Sequence, residues 1–112
     1  MNLKKLTNEY LNNFQKKDIN ELNKIFHKNI ELLDVNKTIM GKKKVLSFNK
    51  KFFKKYKLIK IKILKQSFNH VENISFSYIS IMLNKKIYHV VDLVEFSKYK
   101  KIKKISAFIN NK

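Results

Sequence analysis

The stretch that most restricts how this chain can fold is 86–96, KIYHVVDLVEF, with the return segment 102–109, IKKISAFI, behind it. Both runs are rich in β-branched residues and a short lysine-rich turn separates them, so they read as the two arms of a hairpin. One residue does not suit a plain apolar arm. Asp92 stands in the middle of the first run, where a carboxylate costs several kcal/mol to bury unless it is paired, hydrogen-bonded or protonated. The chain has to supply one of these conditions, and the segments before the hairpin read as the wall of a pocket around that group.

Those segments extend the sheet. Asn84-Lys85 reads as a two-residue hairpin turn, which sets Ile81 opposite Tyr88, Ile79 opposite Val90 and Ser77 opposite Asp92. Side chains alternate along a strand, so these residues share a face with Val94 and Phe96, while His89, Val91, Leu93 and Glu95 take the other. Further back, Ile59, Ile61 and Ile63 alternate with Lys60 and Lys62, the period of a half-buried strand, and 71–83 continues as a long strand. Both faces of 86–96 are largely apolar, so the sheet is expected to be covered on both sides. The chain's own helices cover one side; on the other, Val91 and Leu93 with Phe76 and Tyr78 form an apolar patch that predicts a homodimer.

The first half of the chain is mostly helical. Leu3, Leu6, Tyr10 and Phe14 recur at helical spacing with Lys4, Lys5, Asn12 and Asn13 on the other side, which puts Tyr10 on the buried stripe. Asp18-Ile19-Asn20-Glu21 has the form of a capping box and opens a short second helix with Ile19, Leu22, Ile25 and Phe26 as its apolar face. His27-Lys28-Asn29 breaks that helix, with His27 at its end; 30–35 reads as a first strand ending near Asp34, and 36–40 as a loop. Gly41, the only glycine, opens a third helix. Its stripe is Val45, Phe48, Phe52 and Tyr56, widened by Leu46 and Phe53, and its lysines form a solvated face.

Twenty-six basic residues against eight acidic ones give a net charge of +18, which invites a nucleic-acid reading. Every one of those basic residues is Lys, however, and the planar bidentate fork that reads phosphates and base edges belongs to Arg. A coding bias that replaces Arg by Lys accounts for the pattern. The lysines are then spread over all sides, no specific nucleic-acid partner is expected, and any DNA affinity is weak, sequence-blind and lost with salt.

At 112 residues the chain is read as one domain, 1–112, with a single core. No run approaches the roughly 20 apolar residues of a membrane span, the first residues lack the apolar region of a signal peptide, and a cytoplasmic location is expected. There is no Cys and hence no thiolate site. His27, His70 and His89 fall on different elements, His70 in a turn, so no metal is expected. No glycine-rich phosphate loop is present, and no cofactor is called for.

The order helix, helix, strand, helix and four-strand meander resembles the nuclear-transport-factor-2-like, or SnoaL-like, superfamily. The resemblance is carried by Tyr10-Leu-Asn-Asn-Phe-Gln-Lys-Lys-Asp18, by the strand 30–34 leading to Gly41, and by Val90-Val91-Asp92-Leu93-Val94-Glu95-Phe96 followed by Lys101-Ile102, which is similar to the family's closing hairpin. It implies an α+β cone, with three N-terminal helices packed on a curved, mostly antiparallel sheet around a pocket for a small apolar molecule. Within the superfamily the chain resembles the ketosteroid isomerases. Tyr10 and Asp34 have the spacing of the oxyanion tyrosine and the general base, and Asp92 falls at the oxyanion aspartic acid.

That likeness implies that Asp34 removes a proton beside a carbonyl while Tyr10 and a protonated Asp92 hold the enolate oxygen. An apolar ring of Tyr88, Val90, Val94, Ile105 and Ala107 would keep Asp92 neutral by desolvation. Phe14, Phe26, Phe48, Phe52, Ile79, Ile81 and Ile109 complete the expected pocket. The chain departs from the isomerase pattern in having Phe26 and Asn49 where supporting tyrosines stand, a shorter 34–41 connection, and Ile109 where some members place an indole. The Asp-Arg-Asp set of the superfamily's epoxide hydrolases cannot be built without Arg. The functions in view are an isomerase- or cyclase-type acid–base enzyme, a non-catalytic pocket or dimerisation module for a small hydrophobic molecule, and a lysine-driven binder of nucleic acid or anionic membrane.

Overall fold

The computed structural model describes residues 1–34 and 36–110. Val35, expected at the end of the first strand, and the last two positions of the polar end Asn110-Asn111-Lys112 lie outside them. The elements follow in the order α1 (Leu3–Gln15), α2 (Ile19–Ile25), β1 (Phe26–Asp34), β2 (Lys37–Met40), α3 (Lys42–Lys55), β3 (Ile59–Asn69), β4 (Ile74–Leu83), β5 (Lys86–Phe96) and β6 (Ile102–Asn110). One six-stranded sheet has the order β2-β1-β6-β5-β4-β3, antiparallel throughout except for the β1–β6 pair. Three helices on a mostly antiparallel, unclosed sheet make the α+β architecture expected from the sequence.

The helix stripes read from periodicity are only in part the buried ones: in α3 the buried line is Val45, Asn49 and Phe53, while the expected Phe48, Phe52 and Tyr56 are partly buried. In α1, Asn2 caps the first turn by accepting from the Lys5 amide, and Leu3, Thr7, Tyr10 and Leu11 are buried; α1 lies on β3 and β4, while α3 lies on β1 and β2. Gly41 is the N-cap of α3 at φ 94°, a region that side chains with a Cβ enter only under strain. Its amide donates to the Ile30 carbonyl at 2.8 Å. Between helices and sheet, Leu3, Leu22, Phe26, Ile30, Val45, Val94, Phe96, Ile102 and Ile105 form the sealed centre of the core.

The hairpin register is the expected one. Asn84, at φ 57°, turns the chain, and β4 and β5 then pair Ile81 with Tyr88, Ile79 with Val90 and Ser77 with Asp92. Burial alternates along β5, with Val90, Asp92, Val94 and Phe96 inside. The outer face leaves Phe76, Tyr78 and Phe108 exposed.

Several local expectations are corrected. The first strand begins at Phe26 instead of after Asn29, because Phe26 pairs with Ile102 of β6 and a register shift before Glu31 absorbs the intervening residues; His27 is therefore a strand residue, whose Nδ1 accepts from the Asn29 amide. Within 36–40, Lys37–Met40 is a strand and not a loop, since it pairs antiparallel with β1 and covers that edge of it. The long strand starts at Ile74 and not at Val71. Asn69 Oδ1 accepts the amides of Val71 and Glu72, an Asx turn that leaves Val71 93% exposed. The capping box is half formed: the Glu21 amide donates to Asp18, but the Glu21 carboxylate pairs with Lys24, and the Asp18 amide is already taken by the Asn13 carbonyl.

Lysines also serve as helix-end caps. Lys17 Nζ donates to the carbonyls of Phe53 and Lys57 at 3.1 and 2.8 Å, at the C-terminal end of α3 where a cation is favoured by the exposed carbonyl dipoles. Lys101 Nζ does the same for Lys24 at the end of α2.

Candidate functional site

The sheet places one row of residues side by side across its inner face. From one edge to the other, pairing runs Lys37, Asp34, Ala107, Asp92, Ser77, Gln66. Asp34 and Asp92 are thus separated by a single strand, which at the usual spacing sets their backbones about 10 Å apart, and the residue between them is an alanine. The small side chains of Ala107 and Ser77 flank Asp92 and leave open space above it. Ser77 is held by Gln66, whose amide donates to its hydroxyl at 3.0 Å and to Asn8 at 2.9 Å.

Above this row lies a cavity of about 590 Å³ between the sheet, α1 and α3, within the range of roughly 300–1,000 Å³ common to small-molecule pockets. Tyr10, Asp34 and Asp92 all line it, as do Phe14, Phe48, Phe52, Ile79, Ile81, Tyr88, Val90, Ile105, Ala107 and Ile109. Phe26 and Val94, expected there too, do not. Each is at most 1% exposed: Phe26 lies behind Tyr10, ring centroids 6.2 Å apart, and Val94 pairs with Ile105 one row deeper in the sheet. Leu11, Leu32, Val45, Asn49, Tyr56, Ile61 and Leu83 line the cavity as well.

Asn49 is the addition with chemical content. It is buried between Val45 and Phe53 at i, i+4 and i+8 on α3, and that spacing is the signal from which its inward position could have been read. Among the described residues, Tyr10, Asn49 and Asp92 make no side-chain hydrogen bond, and no fully enclosed polar side-chain atom lacks a partner. Their polar ends therefore reach the cavity surface. A phenol, an amide and a carboxyl group open on a largely apolar space.

Electrostatics separates the two carboxyls. Burial pushes Asp92 up to about 7, and the Asp34 charge adds to the effect; near neutral pH it is poised to carry a proton and to donate a hydrogen bond. Asp34 is also raised by burial, but Lys37, its neighbour in the row, pulls the other way. Tyr10 is raised well above the ordinary phenol value by burial and by both carboxylates, which keeps its hydroxyl a donor. The rings of Phe14 and Phe26 each pack 6.2 Å from its ring, so packing holds it, with no hydrogen bond to the hydroxyl among the described residues.

No family model matches the sequence, and no curated protein is similar to it. Solved structures do match. An NTF2-like protein of unknown function from Cytophaga hutchinsonii superimposes with a TM-score of 0.82 at 14% identity, covering 98% of this chain and 91% of that one. The chain has the nuclear-transport-factor-2-like fold. A steroid delta-isomerase from Pseudomonas aeruginosa shares this nuclear-transport-factor-2-like architecture at TM-score 0.79 and 12% identity, over 98% of this chain and 80% of that one. A de novo designed protein with a curved β-sheet does so at TM-score 0.81 and 18% identity, over 97% and 85%. Since a designed scaffold is as similar as an enzyme, the likeness carries the nuclear-transport-factor-2-like fold alone, and function has to be argued from the cavity. Among the described residues no cluster of His, Asp and Glu could hold a metal, and no helix is long and apolar enough to cross a membrane.

Proposed function

We propose that the cavity binds a small apolar carbonyl compound and moves a proton on it, in the manner of the isomerases of this fold. The observation that supports this is the row Asp34-Ala107-Asp92 beneath Tyr10, which puts one carboxyl near Lys37 and a second in an apolar, proton-retaining setting within one cavity. Two carboxyls pushed to different roles by their surroundings are the mark of acid–base division of labour. In the reaction, the Asp34 carboxylate takes a proton from the carbon beside the carbonyl, and the C–H electron pair moves into an enolate. Tyr10 and protonated Asp92 donate to the enolate oxygen. Asp34 then returns the proton to a different carbon, giving the conjugated isomer.

A phenol that mimics the enolate tests the oxyanion half. It should bind at pH 6 with its oxygen between Tyr10 and Asp92, detected by the change in its absorbance or emission. Asp92→Ala should weaken it by about 10–100-fold, the worth of one charge-assisted hydrogen bond. Equal affinity for the variant would remove Asp92 from the site. Binding without turnover of any ketone would favour the second reading, a ligand-binding module, which the lack of a hydrogen bond to the Tyr10 hydroxyl among the described residues supports.

The outer sheet face fits a second copy of the chain as partner. Phe76, Tyr78 and Phe108 are 37%, 39% and 60% exposed there, next to Val91 and Leu93 on the paired strand. Because the net charge of +18 makes copies repel each other, light scattering at high micromolar concentration should give a dimer mass, and more of it at 0.5 M salt than at about 0.05 M. A monomer mass in both would overturn it.

A further inference from the structure

From α3 the cavity is lined by Val45, Phe48, Asn49, Lys51, Phe52 and Lys55, followed by the C-cap residue Tyr56, one core-facing side of the helix. Toward its C-terminal end that side carries two lysines, Lys51 and Lys55, which line the cavity although both residues are exposed. Lys55 reaches along Tyr56, its Nζ 5.3 Å from the ring centre. From the sheet, Lys37 also lines the cavity and closes the polar row next to Asp34. None of the three forms an ion pair among the described residues. A rim built only to admit a neutral apolar body gains nothing from cations at stripe positions, where apolar residues would bury more surface.

From this the geometry points to a substrate class: an apolar carbonyl compound carrying an anionic head, carboxylate or phosphate, whose body fills the cavity while the head rests between Lys51, Lys55 and Lys37 at the mouth. Such a head also fixes direction. With the charge held at the rim, the chain enters body first and the carbonyl lies at a set depth, near Tyr10 and Asp92. A lysine ammonium is a point charge with rotatable donors and accepts either head without a fixed fork. The inference rests on the cavity being a ligand pocket, as proposed above.

Dodecanoate, dodecyl phosphate and methyl dodecanoate, all below their aggregation limits, test it by displacement of a neutral environment-sensitive dye. Exposed lysine–anion pairs contribute little singly, and two or three acting together are expected to make at least one anion bind roughly tenfold tighter than the ester; the tighter of the two names the head. In Lys51→Gln/Lys55→Gln that preference should fall to within about twofold and methyl dodecanoate should bind as before. Lys50→Gln/Lys54→Gln removes the same charge from the same helix at positions that do not line the cavity, and should keep the preference. Equal binding of acid, phosphate and ester by the unmodified protein overturns the anionic head while leaving the pocket intact. A preference lost equally in both double variants overturns it too, since net charge would then account for it. If the ester and both anions fail to displace the dye, the pocket reading falls and this inference with it.

Discussion

Asp34→Asn is expected to slow conversion of a β,γ-unsaturated ketone by about 10²–10⁴-fold, the usual worth of a general base, with binding of a phenolic enolate mimic changed far less than the rate. Asn keeps the shape of the side chain at the end of β1 and its place in the row between Lys37 and Ala107, so the backbone has no reason to move. What it loses is the ability to take up a proton. The carboxylate is suited to the task because burial makes it more basic than a free aspartate while Lys37 favours its ionised form. The mimic gives up no proton to Asp34, which bears on it only through the effect of its charge on Asp92 and Tyr10. Rates followed by the absorbance of the conjugated product, with mimic affinity measured on the same samples, check both halves. A variant as fast as the parent would remove Asp34 from the chemistry.

Asp92→Asn should stabilise the protein at pH 8 by on the order of 4 kcal/mol relative to the parent, and leave the two nearly equal at pH 4. The sign follows from the direction of the shift. The folded protein holds the Asp92 proton up to about pH 7, whereas the unfolded chain releases it near pH 4. Below pH 4 both states are protonated and the group contributes no difference. Between about 4 and 7 only the folded state keeps the proton, so stability falls by about 1.4 kcal/mol for each pH unit; above 7 both states are ionised and the loss is complete. Asn cannot ionise and escapes it. Thermal unfolding of parent and variant at pH 4, 6 and 8 reads this directly, because the other titrating groups are common to both. A difference in melting temperature that does not change with pH would show that Asp92 is not held neutral by burial.

These two outcomes are coupled by design of the site. In the proposed chemistry Asp92 donates a hydrogen bond near neutral pH, and the apolar place that keeps it protonated makes the ionised protein less stable. Asn49 and Tyr10 likewise open their polar ends on the cavity without a side-chain hydrogen bond among the described residues.

Much of this was legible in the residues. The turn at Asn84-Lys85 and the alternation along 86–96 are local, so they specified the β4–β5 register, the opposition of Ser77 and Asp92, and the face that Asp92 occupies. Helical spacing likewise placed Tyr10 and Phe14 inward. The periodicity of Phe26 with Ile19, Leu22 and Ile25 continues a helix, but its pairing with Ile102 across 76 positions of sequence ends that helix at Ile25. Asn49 shares the spacing of Val45 and Phe53, but its amide gives no apolar signal on a lysine-rich helix, and the packing of α3 on β1 is what buries it.

Periodicity by itself determined which side of each element is buried, because the geometry of helix and strand forces that side from spacing alone. Only the tertiary structure decided which buried sides meet. The parallel pairing of β1 with β6 has no local signature, yet it is what sets Ala107 between Asp34 and Asp92. Docking α3 over β1 and β2 then turned two lysines of an ordinary-looking charged helix into the rim of the cavity. Sequence spacing carries the period of an element but not its neighbour, and the chemistry of this site depends on neighbours.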